Sequence, residues 1–532
     1  MMKENLGRME IMITLNTERR SFGLLLLGLA LMMFVIPSLG GQVYASPDET
    51  ATAFVAQNIA WHGRAFFRES QAFDFPWFHP RSFVSHGEKI VPVGFLGWPF
   101  LLSLVARIFN PDALPWFGSL LILSSVWPLY QLLKRHYGWE AAWWGTAITF
   151  TVPSMLLYAN RSLFPNGALL ALMLWSVWLI RHAQEKRYSE RKQFWFQVLI
   201  GAVCALCAAI RPTELVWLMP WWIWFGWSWR PQKKDWQGLV LGVLIIFLPL
   251  LLLAHHAYGS AIQIGYFLHD NVRAVLHVPA AASMNVTSAD ASNILPFGFH
   301  PRMLIKNIIL FFGGWLWPWM ILLIISMISA WKKHRVFCLL MIWTFAVLLF
   351  IYGSGRYLDR PGAWQASLGN SFLRYLLPVA PFFGWAFAFL HVRFFSRTMI
   401  AQRWGAIIGV FLILFGMYGA FFRDDEGVMA TRRELIRYAS IRQASQQWFS
   451  ARDVIISDRS DKIFFPDKRV ASPLSSTTEV ARLAHTPGVR VGLFSRPLTQ
   501  SEQDAWRAVG LEAQELMSSG RERLYRLAPL SP

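Results

Sequence analysis

The sequence predicts an all-α polytopic membrane domain of about eleven transmembrane helices, followed by a small C-terminal α/β domain. The chain of 532 residues is 55% hydrophobic and only 15% charged, whereas about a quarter of the residues in a soluble domain are charged. Its 28 tryptophans and 42 phenylalanines suit a bilayer, where aromatic rings concentrate at both interfaces. Apolar runs alternate with short basic loops as far as residue 422, and the chain then becomes polar.

About twelve apolar segments approach the length of roughly twenty residues that a spanning helix needs. They are 21–40, 91–109, 113–133, 140–158, 162–181, 194–210, 214–229, 237–256, 304–330, 336–352, 375–390 and 405–422. Because Lys and Arg collect on the cytoplasmic side of membrane proteins, the charges of the loops decide which segments cross. The basic loops are 134–135, 181–192, 230–234, 332–335 and 393–403, together with the N-terminus.

All of these loops face the same side only if one segment between residues 41 and 112 stays out of the bilayer. We expect this of segment 91–109, which contains two prolines and two glycines in its first half and is predicted to lie at the outer surface. The result is about eleven spans. The N-terminus then lies in the cytoplasm, and the C-terminal domain lies outside the plasma membrane.

Two domains follow from this topology. Residues 1–422 form the predicted transmembrane domain, with 41–112 as a first extracytoplasmic loop that carries surface helices, and residues 423–532 form the soluble extracytoplasmic domain. In the latter, 453–457, 490–494 and 523–527 are predicted strands and 499–509 a predicted helix. No glycine-rich phosphate loop, metal cluster or nucleophile motif occurs in its sequence.

Three other interpretations of the composition are less favoured. Residues 43–45 before Ser46 resemble a signal-peptide cleavage site, but the apolar run is longer than an ordinary signal sequence. The net charge of +19 does not indicate a nucleic-acid partner, because the basic residues lie in short loops and not in a stripe. Cys204, Cys207 and Cys338 all lie in apolar segments, which favours helix packing over redox chemistry.

The candidate chemistry lies directly after the first span, in the sequence Ser46-Pro47-Asp48-Glu49-Thr50. A structural interpretation explains most of it: Ser46 is an N-cap, Pro47 takes the first helical position and Glu49 completes a capping box. That scheme gives Asp48 no structural role. A carboxylate at the bilayer surface is suited to accept a proton from a substrate hydroxyl.

This layout resembles the glycosyltransferases of the GT-C fold, and within them the protein O-mannosyltransferases and the lipid A aminoarabinose transferases. In these families an Asp-Glu pair follows the first span, a long outer loop with surface helices comes next, and a soluble outer tail follows many spans. Residues 209–213 (AIRPT) and 372–378 (FLRYLLP) are also similar to phrases at the outer helix ends of such enzymes.

The resemblance implies transfer of a sugar from a polyprenyl-phosphate donor to a hydroxyl of a glycan, lipid or protein acceptor. Asp48 would be the general base, with Glu49 beside it as the second catalytic carboxylate. The phosphate of the donor needs cationic ligands near the outer interface. Arg211 and Arg374, with Tyr375, are the candidate donor-binding residues, and interfacial snorkelling is the alternative explanation of the two arginines. Lys89 is a further candidate.

No metal or cofactor is certain. Many relatives carry a second acidic residue after the third span, and Asn166 stands at that place here, which puts a catalytic metal in doubt. His79, His86 and Glu88 are weak candidate ligands for a divalent cation, and solvated loop side chains are their alternative explanation. Two other classes of function stay open. One is a lipid-linked glycan polymerase, ligase or oligosaccharyltransferase, and the other, less favoured because the spans hold few charges and show no repeat, is a transporter.

Overall fold

The structure is a computed structural model of a mainly helical chain. It describes residues 2–530 except 42, 71–74, 76, 186–188, 228–232, 267, 269–296, 356–366, 424–425, 458 and 472–476. Most of the basic loop 230–234 lies outside the described residues, as do large parts of 257–303 and 353–374, which the predicted topology leaves on the outer side of the membrane.

The α-helices are numbered in chain order. They are α1 (Met2–Met33), α2 (Pro47–His62), α3 (Gly97–Ile108), α4 (Ala113–Ser124), α5 (Val126–Tyr137), α6 (Trp139–Phe150), α7 (Pro153–Asn160), α8 (Pro165–Glu185), α9 (Glu190–Ile210), α10 (Leu215–Gly226), α11 (Lys233–Tyr258), α12 (Pro301–Asn307), α13 (Trp317–Ala330), α14 (Arg335–Tyr352), α15 (Ser371–Tyr375), α16 (Ala380–Leu390), α17 (Met399–Phe421), α18 (Val428–Ser445), α19 (Asp461–Phe464), α20 (Thr477–Ala484) and α21 (Gln500–Ala508). The segments Ile308–Leu316 and His391–Phe395 are π-helical.

The strands form two sheets. They are β1 (Phe67–Arg68), β2 (Phe83–His86), β3 (Lys89–Pro92), β4 (Val454–Ser457), β5 (Arg469–Ala471), β6 (Val491–Ser495), β7 (Leu511–Ser519) and β8 (Glu522–Pro529). The chain as a whole divides into two compact units. The first comprises Met1–Leu39, Pro115–Phe247 and Asn285–Thr431, and the second comprises Gly40–Leu114, Leu248–Met284 and Arg432–Pro532.

Within the described part of the chain, seven helices are long and apolar enough to cross a membrane, judged by length and composition. They are Ala113–Tyr137, Glu190–Ile210, Asp235–Tyr258, Pro301–Ala330, Arg335–Tyr352, Leu377–Phe395 and Met399–Phe421. The pair Pro153–Asn160 and Pro165–Glu185, bent by 108°, counts as an eighth if it is one span. The membrane character of the chain is confirmed, whereas the number of about eleven spans stays a prediction.

Short helices explain part of the difference between the seven or eight candidate spans and the about eleven that the sequence predicts. The predicted segment 140–158 is divided between α6 and α7, because Pro153 begins a new helix. The predicted segment 214–229 yields α10, which has 12 residues and contains Pro220. At about 1.5 Å per residue, a helix of this length is much shorter than the hydrocarbon core of about 30 Å. The helix α3 in segment 91–109 also has 12 residues, which is short for a spanning helix, and its predicted place at the outer surface stays a prediction.

The first unit is organised around α16, all of whose residues are buried. It crosses α6 at two glycines, where a Cβ on Gly384 would collide with the carbonyl oxygen of Gly145. Small residues permit such close helix crossings in membrane proteins. The end of α1 is fixed by Asn160, whose side chain accepts from the N–H of Ile36 at 3.1 Å and donates to the carbonyl of Met32 at 2.8 Å.

Basic residues from several helices meet at one end of the first unit. Lys134 pairs with Glu18, and Arg135 pairs with Glu185 at 2.7 Å. Arg181, at the end of α8, lies 5.7 Å from the ring centre of Phe225 at the end of α10. The residues that follow α1, α7, α9 and α14 lie at the opposite end, because those helices run the other way.

The second unit joins the loop after α1 to the C-terminal tail. The loop forms the antiparallel sheet β1-β3-β2, and the tail forms a five-stranded sheet in the order β5-β4-β6-β8-β7. Strand β4 runs parallel to β5 and β6, and β8 runs antiparallel to β6 and β7. Three aromatic residues of the loop, Phe75, Trp77 and Phe78, pack into the hydrophobic core of the tail. The predicted boundary at residues 422 and 423 stays a prediction.

The tail confirms the predicted α/β class. The predicted strands at 453–457, 490–494 and 523–527 correspond to β4, β6 and β8, and the predicted helix at 499–509 corresponds to α21. Thr499 and Glu502 form a capping box at the start of α21. Strand β7 was not predicted, because its sequence LEAQELMSS is mostly polar and lies at the edge of the sheet.

Candidate active site

Asp48 lies in the first turn of α2 and is half-buried. Ser46 caps this helix, since its hydroxyl oxygen accepts a hydrogen bond from the Asp48 N–H at 3.3 Å, and Pro47 takes the first helical position. The N-cap at Ser46 was predicted. Its hydroxyl oxygen binds the N–H of Asp48, whereas a capping box requires the N–H of Glu49. The carboxylate of Asp48 therefore lies at a helix N-terminus, which favours a negative charge.

Ser82 holds the Asp48 carboxylate. Its hydroxyl donates a hydrogen bond to Oδ1 of Asp48 at 2.6 Å. Ser82 has a φ of 65°, in the left-handed region that residues with a Cβ adopt only at a cost. Its carbonyl accepts a hydrogen bond from the N–H of Val93 at 3.0 Å, which helps to fix this conformation. A strained backbone that aims a side chain at a carboxylate is typical of functional sites.

The tail fixes the loop that carries Ser82. The carboxylate of Asp461 is buried and accepts from the backbone N–H of Arg81 at 2.8 Å and from its Nε at 2.8 Å. The next residue of the tail, Lys462, donates from Nζ to the carbonyl of Ala45 at 2.6 Å, directly before the cap of α2. Both chain segments that frame Asp48 are thus tied to α19.

Glu49 is buried, with 4% of its surface exposed, and faces another side of α2. Its carboxylate lies near the Tyr44 hydroxyl: burial raises the pKa of Tyr44, and the negative charges of Asp112 and Glu49 raise it further. A cavity of about 820 Å³ lies beside this face of α2 and is lined by Tyr44, Gln57 and Gln443 among others. Asp48 is not among its lining residues, so we do not assign the predicted proton transfer to this cavity.

Lys89 has a structural explanation. Its Nζ donates to the carbonyl oxygen of His256 at 3.0 Å and lies 4.6 Å from the ring centre of Phe66. His256 belongs to the last turn of α11, where the carbonyls have no partner within the helix. Lys89 therefore caps the end of α11, and its predicted contact with the donor phosphate stays a prediction.

In the first unit, Arg211 takes part in a buried network. Its Nε donates to Glu214 at 2.9 Å, and its Nη2 donates to the hydroxyl of Tyr352 at 2.7 Å. The Tyr352 hydroxyl in turn donates to Glu214 at 2.8 Å, and the indole of Trp217 donates to the same carboxylate. Arg211 is therefore held within the protein by an ion pair, and not at the interface as snorkelling requires.

Arg374 lies close to this network. Its guanidinium lies 4.1 Å from the ring centre of Phe164 and 5.3 Å from that of Tyr375. The ring of Tyr375 stacks on Tyr352 with 4.2 Å between centres and also contacts Arg211 at 5.0 Å. The structure thus brings together the three predicted donor-binding residues of the first unit. In these contacts Arg211 is committed to a carboxylate, whereas Arg374 packs on rings and donates to neutral hydroxyls at 3.3 and 3.5 Å.

The candidate metal ligands do not form a site among the described residues, which contain no group of three His, Cys, Asp or Glu side chains placed to hold a metal ion. His79 binds the carbonyl of Pro80 through Nδ1 at 3.0 Å. His86 and Glu88 are exposed at a turn. Asn166 is buried at the start of α8. These residues do not fit a divalent cation, and we derive no step through one.

The fold of this chain is that of the membrane glycosyltransferases of the GT-C class, as the sequence predicted. It is similar to ArnT of Cupriavidus metallidurans, an aminoarabinose transferase, in the apo state: the chains are 12% identical with a TM-score of 0.55, over 96% of this chain and 98% of ArnT. ArnT bound to undecaprenyl phosphate gives the same identity and TM-score, over 95% and 97% of the two chains.

A third similar structure is the archaeal oligosaccharyltransferase AglB from Archaeoglobus fulgidus, in complex with an inhibitory peptide and a dolichol-phosphate. It is 11% identical with a TM-score of 0.50, over 89% of this chain and 69% of AglB. No family model and no curated protein sequence matches the chain. At these identities the similarity establishes the fold, and the chemistry rests on the residues.

Proposed function

We propose that this protein is an integral membrane glycosyltransferase that moves a sugar from a polyprenyl-phosphate donor to an acceptor hydroxyl on the extracytoplasmic face. The observation that carries the proposal is the environment of Asp48, a carboxylate at a helix N-terminus that is aimed by a hydroxyl on strained backbone. The shared fold supports it, because the ArnT and AglB structures hold undecaprenyl phosphate and dolichol-phosphate, respectively.

In this proposal Asp48 accepts the proton of the acceptor hydroxyl as the oxygen attacks the anomeric carbon of the donor. The bond from that carbon to the phosphate oxygen breaks, and the polyprenyl phosphate leaves with both bonding electrons. Arg374 binds the phosphate, since a guanidinium matches phosphate geometry and stabilises the charge that develops on it. Arg211 positions Tyr375 from its buried network.

The test of the base is a matched pair of variants. Asp48→Asn keeps the shape of the side chain but removes its proton acceptance, so turnover should fall about a hundredfold or more, while undecaprenyl phosphate still binds. Glu49→Gln should cost much less. Turnover is measured in membranes as the release of polyprenyl phosphate from a polyprenyl-phosphate monosaccharide. Equal and mild losses in the two variants would contradict the role of Asp48.

A second candidate function is transfer of a whole glycan, as in an oligosaccharyltransferase, which the fold shared with AglB favours. The same membranes are assayed with a monosaccharide linked through one phosphate and with an oligosaccharide linked through a diphosphate. Use of the first donor alone supports our proposal, and use of the second alone supports the alternative. Turnover of neither donor, combined with movement of a lipid or solute across the bilayer, would indicate a transporter.

A further inference from the structure

A cavity of about 520 Å³ opens at the basic end of the first unit, among α5, α8, α10, α16 and the start of α14. Its volume is within the range of about 300–1,000 Å³ that is usual for ligand sites. The walls are almost entirely aliphatic and aromatic, and they include Met173, Leu174, Trp221 and Trp385. Nothing in the proposed transfer reaction uses this cavity.

The aromatic walls are held by contacts among themselves. The indole N–H of Trp221 donates to Thr344 at 2.9 Å, and its ring stacks on Phe382 with 5.6 Å between centres. Phe337 and Trp385 lie 4.8 Å apart. These side chains support each other from α10, α14 and α16. The cavity is therefore formed by the packing of these helices, and an apolar chain could occupy it without repacking the walls.

The mouth of the cavity is cationic. Arg181, Lys332, Lys333 and Arg335 all line it, and the described residues that line it include no Asp or Glu. Lys332, Lys333 and Arg335 are exposed, so their charges lie in water at the opening. The nearby carboxylate of Glu185 is engaged by Arg135. An apolar interior with a ring of cations at its entrance matches a molecule with a hydrocarbon chain and an anionic head.

We propose that this cavity binds an anionic glycerophospholipid, with an acyl chain between the aromatic walls and the headgroup phosphate among Arg181, Lys332, Lys333 and Arg335. Basic pockets between transmembrane helices are suited to such headgroups. The positive-inside rule predicts that this end faces the cytoplasm, where anionic lipids are supplied by the inner leaflet. The cavity is lined by neither Asp48 nor Arg374, and the proposal does not depend on the transferase activity.

Binding is tested on the purified full-length protein after its lipids are exchanged for neutral detergent. Dioleoyl phosphatidylglycerol is expected to raise the apparent unfolding temperature and to remain bound in native mass spectra, whereas dioleoyl phosphatidylcholine does neither. Inorganic phosphate at the same concentration, which offers the anion without a chain, is also expected to have no effect.

Two variants locate the site. Lys332→Gln/Lys333→Gln/Arg335→Gln removes three charges at the mouth, and Leu132→Trp fills the cavity while it keeps the cations, so both should lose the stabilisation by phosphatidylglycerol. The matched control is Arg393→Gln/Arg397→Gln/Arg403→Gln, which removes three exposed charges that do not line the cavity. We expect at least a tenfold loss of phosphatidylglycerol affinity in the two site variants and none in the control.

The opposite results overturn the proposal. Equal losses in the site and control triple variants would mean that the lipid responds to the net charge of this end. An unchanged affinity in Leu132→Trp would mean that no acyl chain enters the cavity. Equal stabilisation by phosphatidylcholine would remove the role of the anionic headgroup, and stabilisation by inorganic phosphate alone would remove the role of the lipid.

Discussion

The hydrogen bond from Ser82 to Asp48 leads to a prediction in which stability and turnover separate. Ser82→Ala removes the hydroxyl but keeps a Cβ on a backbone with φ of 65°. Ser82→Gly removes the hydroxyl and also relieves the left-handed strain. The two variants therefore lose the same contact with Asp48 and differ in the strain and in the conformational freedom of the unfolded chain.

The magnitudes follow from the geometry. A hydrogen bond to a charged group contributes about 1.5–3 kcal/mol, and if this energy keeps Asp48 in its productive orientation, losing that orientation corresponds to roughly a ten- to hundredfold fall in turnover. Both variants should show this fall. The left-handed conformation costs a residue with a Cβ about 1–2 kcal/mol, of which the greater freedom of unfolded glycine offsets about 0.4–1 kcal/mol. The net gain of about 0–1.6 kcal/mol means that Ser82→Gly should unfold at the same temperature as Ser82→Ala or up to about 2 °C above it.

The assay measures polyprenyl-phosphate release in membranes together with the apparent unfolding temperature of the purified protein. The control is Ser103→Ala, which removes a buried hydroxyl of α3 that donates to the local carbonyl of Phe100, and which should leave turnover unchanged. Wild-type turnover in both Ser82 variants would refute the positioning of Asp48 by Ser82. A Ser82→Gly variant that unfolds clearly below Ser82→Ala would refute the strain.

Two further predictions concern charge. Arg374→Ala should weaken binding of undecaprenyl phosphate at least tenfold, with partial recovery in Arg374→Lys because the bidentate fork becomes a point charge. Arg211→Ala should mainly destabilise the protein by about 3–5 kcal/mol, because it leaves Glu214 buried without its cation, and Arg211→Met/Glu214→Gln should recover much of this loss. A loss of donor affinity without destabilisation in Arg211→Ala, or a loss of stability with unchanged donor affinity in Arg374→Ala, would contradict these roles. Burial lowers the pKa of His79, so the stability that the neutral imidazole contributes is complete above pH about 6.5 and is lost as the pH falls below that value. The unfolding temperature should therefore fall between pH 6.5 and 5.5 more steeply in the wild type than in His79→Gln, and equal slopes would count against this.

The sequence predicted the features that depend on local pattern. Apolar length revealed the membrane domain, and short runs rich in apolar residues revealed β4, β6 and β8, because both signals lie within about twenty neighbouring residues. Pro153 explains why the predicted span at 140–158 became two short helices, since it begins a new helix within an apolar segment. Hydropathy averages over such breaks and therefore overestimates the length of the helices.

The candidate site was predictable only in part. Asp48 stands out in the local sequence because the N-cap explains its neighbours but gives its carboxylate no structural role. Ser82 gave no signal, because its positive φ occurs in a loop whose neighbouring residue, Arg81, is held by Asp461, 380 positions further along the chain. The contact between Lys89 and a backbone carbonyl of α11 was not predicted either, because no side-chain pattern can reveal such a partner.

The ties from Asp461 and Lys462 to the segments around Asp48 span 380 and 417 positions of the chain. A ribosome that adds about 5–20 residues per second needs roughly 20–80 seconds to cover such a distance. During that interval α2 has already left the ribosome, but the groups that hold its N-terminus have not been made. A chain that is interrupted between residues 422 and 461 therefore retains every candidate span of the described residues and lacks both ties. The timing of synthesis thus delays the full geometry around Asp48 until residues 461 and 462 have been made, so that a membrane receives the complete set of contacts only from chains that have been translated beyond them.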